Sequence, residues 1–452
     1  MNVDESLRLY KQGREKWNEW ADSMLACREN SKAWKDAARV AFGSPIINAD
    51  FSGFIFPGHA PFYRVTFNGT TTFEGATFEG AAGFEGAIFT DFAKFEEVTF
   101  KGDTTFERAT FEGAAEFERA TFTDFAKFEE ATFKGTTRFK EATFEENVWF
   151  WETTFTGGTE FGAVTFKGTA TFGAVTFKGA ATFDEATFEG AATFRPSTFE
   201  KFTSFDGAKF RARADFRAVQ GNSEFTMANA EFMEVPDFHQ ATFVEAPRLD
   251  NVNIESQRSR NISFTAIKSF FRGDLEKEGR WRALKRLAAQ GHDHASEQLF
   301  FRGELLARRG VTDRYSHASF WLGLFYQIFS DFGRSLIRPL LWWAVGVLVF
   351  AGIYLSHHPG GSEWFLLECI EGTGKPWVSA LGLSLHRSLP ALSGFGDTLP
   401  QFHACLYGVQ SENPFRPTIP DVVSFLSVPQ VLFSAVMIFL FLLAVRNHFR
   451  IK

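Results

Sequence analysis

Cysteine is nearly absent: Cys27, Cys369 and Cys405 are too few in 452 residues for the disulfide framework that holds small secreted folds together. The opening residues, MNVDESLRLYKQGREKW, contain no apolar run, so no secretory signal is expected there. Histidine is sparse as well. Between residues 44 and 250 only His59 and His239 occur, and no nucleophile stands beside a base. Catalysis, a cofactor and a bound metal are therefore not expected. The same block is short of positive charge, with 18 Lys and Arg against 32 Asp and Glu. Phosphate backbones are bound by cations that release counterions, so no nucleic-acid partner is expected.

What the chain has in place of these is phenylalanine, 59 residues against 11 Trp and 6 Tyr. From Phe51 to Phe216 it recurs at alternating steps of 5 and 6, which gives 31 lattice positions and fifteen periods of 11. An α-helix is excluded, because at about 100° per residue these steps put the rings on two stripes roughly 140° apart. The Gly- and Thr-rich spacers also disfavour helix. A flat strand fails too, since alternating odd and even steps would turn successive rings to opposite faces. Short straight segments joined by corners satisfy the pattern, each sending one Phe inward. The residue two before each Phe shares that inward face and is small: Ala76, Ala82, Ala87, Ala93, Val98, Thr104 and so on. Two 11-residue units then make a four-sided coil of 22 residues, and each side keeps a constant length. At about 4.8 Å per coil the lattice spans a tower roughly 36 Å tall. After Phe216 the lattice is expected to slip (Phe225, Phe232, Phe238, Phe243), with Pro236 and Pro247 marking the end of the tower.

Units such as ATFEG, ATFKG and AKFEE resemble the pentapeptide repeat proteins, in the Phe-rich variant that alternates five and six residues. The resemblance covers about residues 44–250 and implies an all-β, right-handed quadrilateral β-helix. Some soluble members are acidic rods said to mimic DNA toward topoisomerases, a role that suits a membrane-tethered chain poorly. The segment FTDFAKFEEVTFKG at Phe89 returns as FTDFAKFEEATFKG at Phe122, 33 residues or one and a half coils later, so the two copies face opposite sides. Such copying reads as structural padding. Trp149 and Trp151 flank lattice Phe150 and point outward. They are expected to lie under a neighbouring loop or the N-terminal helix, with a partner-binding patch as the alternative.

The chain divides into an N-terminal helical cap (1–43), the solenoid (44–250), an amphipathic helical linker (251–335) and a transmembrane hairpin with an extracytoplasmic loop (336–452). Within the linker, FTAIKSFFRGDLEKEGRWRALKRLAAQ and HASEQLFFRGELLARRG are read as helices separated by Gly291. His292, Asp293, His294 and Glu297 are set aside as metal ligands, because Asp293 and Ser296 suit a helix cap and no further His or Cys is near. ASFWLGLFYQIFSDFGRSLIRP is read as lying along a membrane surface. Pro339 to Leu355 and the uncharged run Val422 to Val445 are apolar enough to span. Arg334 and Arg338 precede the first, and Arg446, His448, Arg450 and Lys452 follow the second, so both flanks are expected inside. The expected localisation is a bacterial inner membrane, multi-pass, with both termini cytoplasmic. Cys369 and Cys405 would then pair if the outer compartment is oxidising.

Between the spans, a helical segment from Trp377 to Leu389 precedes Gly394-Phe395-Gly396-Asp397 and Pro400. This resembles the pore loop of two-span potassium channels, whose filter reads T-V-G-Y-G-D. The match is limited to the GFGD core. Leu392 stands in place of the ion-facing Thr, Ser393 replaces Val, and about 24 residues separate Asp397 from the second span. A non-conducting loop is expected. The tail LLAVRNHFRIK resembles the tails of pentapeptide-repeat membrane proteins of unknown activity. The function expected is a non-enzymatic scaffold or interaction module, its partners the lipid bilayer and an unidentified protein. The alternative is a cation (potassium-like) channel, which requires a homo-oligomer.

Overall fold

The computed structural model describes residues 46–47, 49–56, 58–255, 274–309, 313, 316–359, 368–370, 374–389, 398–410 and 413–449. They fall into two compact units that divide between Thr312 and Asp313. The expected N-terminal helix lies outside the described residues, as do Gly394, Phe395, Gly396 and Asp397.

In the first unit the chain winds through two- and three-residue strands into four parallel sheets, two of them ten strands deep and two eight. Face I runs from Ile46–Ile47 to Thr242–Phe243, face II from Thr71–Thr72 to Phe225–Thr226, face III from Ile55–Phe56 to Asn253–Ile254, and face IV from Ala60–Pro61 to Ala214–Asp215. Every pairing joins residues 22 apart, as in Thr99 with Thr121 and Phe100 with Phe122, so the coil is four-sided as expected. Backbone groups bond upward and downward: Phe95 N–H donates to Glu116 O at 2.6 Å and Thr99 N–H to Ala76 O at 2.9 Å. One corner type recurs every eleventh residue with φ near +55° to +68°, at Gly75, Gly86, Glu97, Arg108, Arg119 and onward. Non-glycine residues accept a local cost of roughly 1 kcal/mol there, which the stacked coils outweigh.

The rings form columns inside. Phe117 stacks between Phe95 (4.9 Å between centroids, 4°) and Phe139 (4.7 Å, 6°) and meets Phe106 and Phe128 edge-on at 5.5 and 5.8 Å. These offset-stacked and edge-to-face geometries are the favoured ones for aromatic quadrupoles. The small residues at i−2, such as Ala115 and Ala126, are fully buried between the columns.

One expectation is corrected. The lattice does not slip after Phe216; it continues through Gly221, Met227, Phe232, Phe238, Phe243, Leu249 and Ile254. Only Phe225 leaves its column, occupying an i−2 place. Gly221 supplies no ring above Phe199, and Phe225 fills the gap, 5.7 Å from Phe199 and 4.9 Å from Phe243. Pro236 and Pro247 also sit at buried i−2 places. On those faces such a residue donates its N–H to the coil above, as Ala192 does to Arg213 O at 2.9 Å. Asn253–Ile254 is the last strand of the tower, so proline's missing donor costs nothing at these two positions.

The open end is covered by α1 (Leu275–Gln290) and α2 (His294–Arg308), a helical pair whose capping role the sequence reading did not foresee. Asp274 caps α1 by accepting from Glu276 and Lys277 N–H, and Asp293 caps α2 by accepting from Ala295 and Ser296 N–H. Trp281, Leu284, Leu287 and Ala288 of α1 join the same apolar core as the Phe columns. Arg280 Nη1 donates to Val235 O at 3.2 Å and Gln290 Nε2 to Phe243 O at 3.3 Å. A stacked solenoid otherwise ends in exposed apolar rings and unpaired strand edges.

The second unit contains α3 (Ala318–Ser330), α4 (Ile337–Ser356), α5 (Pro376–Ser388), α6 (Leu399–Tyr407) and α7 (Asp421–Phe449). Helices α4 and α7 are long and apolar enough to cross a membrane. Leu348 and Phe439, each 63% exposed, and Phe425, 77% exposed, point away from the unit's interior. Cys369 and Cys405 form a disulfide with a Cα–Cα distance of 4.4 Å.

Candidate functional site

The four faces of the tower differ in what they present. Face III shows an unbroken row of threonines from Thr77 to Thr187, and face I another from Thr110 to Thr198. Face II carries alternating charge, Lys94, Glu116, Arg138 and Glu160, with Arg138 2.6 Å from Glu116 and 3.6 Å from Glu160. Exposed pairs of this kind add little stability, so they read as a solvated surface. Face IV is different. Its outward column runs Pro61, Gly83, Thr105, Lys127, Trp149, Thr171, Thr193 and Asp215.

Trp149 and Trp151 are 38% and 42% exposed, and among the described residues no loop covers them. Trp149 meets Phe125 edge-on at 4.7 Å, and Lys127 Nζ lies 5.4 Å from the centroids of both rings. Trp151 donates from Nε1 to Glu152 Oε1 at 2.8 Å, and its ring lies on Gly173, where a Cβ would collide with it. Both indoles are thus fixed by their own face of the tower. The two copies of FTDFAKFEE place Ala93–Lys94 on face II and Ala126–Lys127 on face IV, which are opposite sides.

Next to the indoles is a groove of about 350 Å³ that the sequence reading missed. Its floor is low because two successive outward residues, Gly83 and Thr105, are small. Tyr63 closes one end with its ring over Gly83, where a Cβ would lie 2.6 Å from Tyr63 Cε1. Phe125 and Lys127 close the other. Glu85, Asp103 and Glu107 supply three carboxylates along the lining. Burial, with Glu85 second, pushes the Tyr63 phenol up, so it stays neutral. Desolvation also raises the Glu129 carboxyl nearby, although Lys127 opposes it. The legible signal was the 22-residue spacing of Gly83 and Thr105, visible only after faces are assigned.

At the capped end, Asp237 is buried and takes His239 Nδ1 at 2.6 Å, with Arg280 Nε 3.8 Å away. Burial works to raise the Asp215 carboxyl, but hydrogen bonds from Arg217, Nε to Oδ1 at 2.8 Å among them, hold it below the usual range. These groups tie α1 to the last coils.

The second unit holds a buried polar network. Tyr354 OH donates to Gln430 Oε1. Gln430 Nε2 faces Ser384 O and Oγ at 2.8 Å and Ser388 Oγ at 2.9 Å. Ser384 OH donates to Val347 O at 2.8 Å, and Tyr407 OH to Tyr354 O at 2.9 Å. Arg387 Nη1 donates to Val423 O at 3.0 Å, with its guanidinium 5.0 Å from the Tyr354 ring centroid. Satisfied polar groups of this kind fasten α5 to both long helices. Burial, with the Arg387 charge second, pushes His403 down to about 4, so its imidazole is neutral at pH 7. His294 Nδ1 lies 3.2 Å from Glu297 Oε2, and Asp293 is occupied as a cap; among the described residues no group of side chains is arranged to hold a metal.

Residues 51–98, 84–131, 117–165 and 172–220 match the family model for pentapeptide repeats (9 copies). The tower is therefore a pentapeptide-repeat solenoid, and all four matched segments lie within it. No curated protein and no solved structure matches the chain.

Proposed function

We propose that this chain is a membrane-anchored interaction module without enzymatic activity, in a bacterial inner membrane, with its tower and both termini in the cytoplasm. The observation that carries the reading is face IV: a rigid acidic tower holds Tyr63, Trp149 and Trp151 exposed on one side, whereas faces I and III show threonine rows. Fixed, half-exposed aromatics are the side chains that anchor protein partners at small entropic cost. The anchoring half rests on α4 and α7, and on the exposed apolar side of α3 (Trp321, Leu322, Phe325), which suits a bilayer interface. The Cys369–Cys405 disulfide suits a loop on the oxidising side.

A photo-reactive aromatic residue introduced at Thr171, beside Trp149 on face IV, is expected to give a discrete adduct in irradiated cells. The same residue at Thr182 on face II should give none. Adducts from both sites, or from neither, would remove the support for a face-specific partner.

A second reading is a homo-oligomeric two-span pore around Gly394, Phe395, Gly396 and Asp397. In its favour, α5 ends just before that loop and is bonded to both long helices, the position a pore helix takes.

A further inference from the structure

Resting on the interaction-module reading, we infer that the groove on face IV takes a guanidinium or ammonium group carried by an extended basic segment of the partner. Three carboxylates line it against one ammonium, and the whole block from 44 to 250 is acidic by 32 to 18. Arg108 does not cancel them. Its guanidinium is shared among Glu107 at 3.0 Å, Glu130 at 3.0 Å and Glu85 at 3.9 Å, while Asp103 makes no ion pair among the described residues. Aromatic faces at both ends add cation–π attraction. Lys127, placed over Phe125 and Trp149, already uses one such face, which demonstrates that the surface accepts a cation. Tyr63 offers the other, steadied by its hydroxyl lying 3.2 Å from His59 Nε2. A phosphate or an acidic peptide would meet three carboxylates at close range, so charge selects against both. The groove is open to solvent along its length, which favours a side chain presented from an extended backbone over an enclosed small molecule.

The probe is a fluorescent heptapeptide, Gly-Ser-Arg-Gly-Arg-Ser-Gly, titrated into the full chain in detergent micelles and compared with its citrulline twin, which keeps shape and loses charge. The arginine peptide is expected to bind and the twin to bind at least about tenfold more weakly, the scale of one charge-assisted contact. Asp103→Asn with Glu107→Gln should weaken binding by about tenfold. Glu160→Gln with Glu185→Gln, which remove the same charge elsewhere, should leave it unchanged. Unaltered circular dichroism melts show that the variants fold. Absence of binding, equal binding of the twin, or equal loss in the Glu160 and Glu185 variant overturns the inference. If the peptide fails while the adduct from position 171 persists, the groove falls and the interaction reading stands; if both are lost, both fall.

Discussion

Replacing Phe117 with alanine is expected to lower the stability of the tower by about 3 to 5 kcal/mol, towards the upper end of that range. The ring is fully buried, stacked between Phe95 and Phe139 and met edge-on by Phe106 and Phe128, so its removal breaks a column and leaves four rings without a partner. The columns on either side are held at the coil spacing by backbone hydrogen bonds, so the cavity cannot close by a small shift. Glu118→Ala, at the next residue, should change stability by no more than about 0.5 kcal/mol. Denaturant titration of the full chain in detergent, followed by the β-sheet signal, measures both. A larger loss for Glu118→Ala would refute the inward-Phe coil.

A periplasm-active reporter fused after Lys452 is expected to be silent, and the same reporter inserted beside Glu412 active. The effect is all or none because topology is. Arg334 and Arg338 flank α4, and Arg446, Arg450 and Lys452 flank α7, whereas the loop from His357 to Asp421 carries six acids and only Lys375, Arg387 and Arg416. Cationic flanks are retained on the cytoplasmic side. Activity at both points, or the reverse pattern, would overturn the hairpin and move the tower to another compartment.

The coil was legible because its constraint is restated twice in each turn: a ring at steps of 5 and 6, a small residue two places earlier, and a constant side length. Local compensations were not. Gly221 and Phe225 read as a lost register, when one ring had moved from its column to an adjacent inward place. Helix α1 showed an amphipathic pattern, but no pattern states what its apolar stripe covers, and here that is the open end of the Phe columns. The face IV groove depends on Gly83 and Thr105 being neighbours in space and 22 residues apart in the chain. In the second span, Gln430 passed as one uncharged residue among 24, although its amide holds α5 to α4 and α7. The outward position of Trp149 and Trp151 was readable from the lattice, but the Phe125 and Gly173 contacts that fix them come from neighbouring coils.

Whether this chain presents a surface or conducts ions is decided most directly by ion flux through the purified protein in liposomes. The filter sequence has Leu392 in place of a hydroxyl-bearing residue, and α5 brings the buried guanidinium of Arg387 close to its C-terminal end, where a cation-conducting pore needs negative potential. No potassium-selective flux is predicted. A selective potassium current that disappears in Gly394→Ala and Gly396→Ala would contradict the account and make the tower the cytoplasmic domain of a channel.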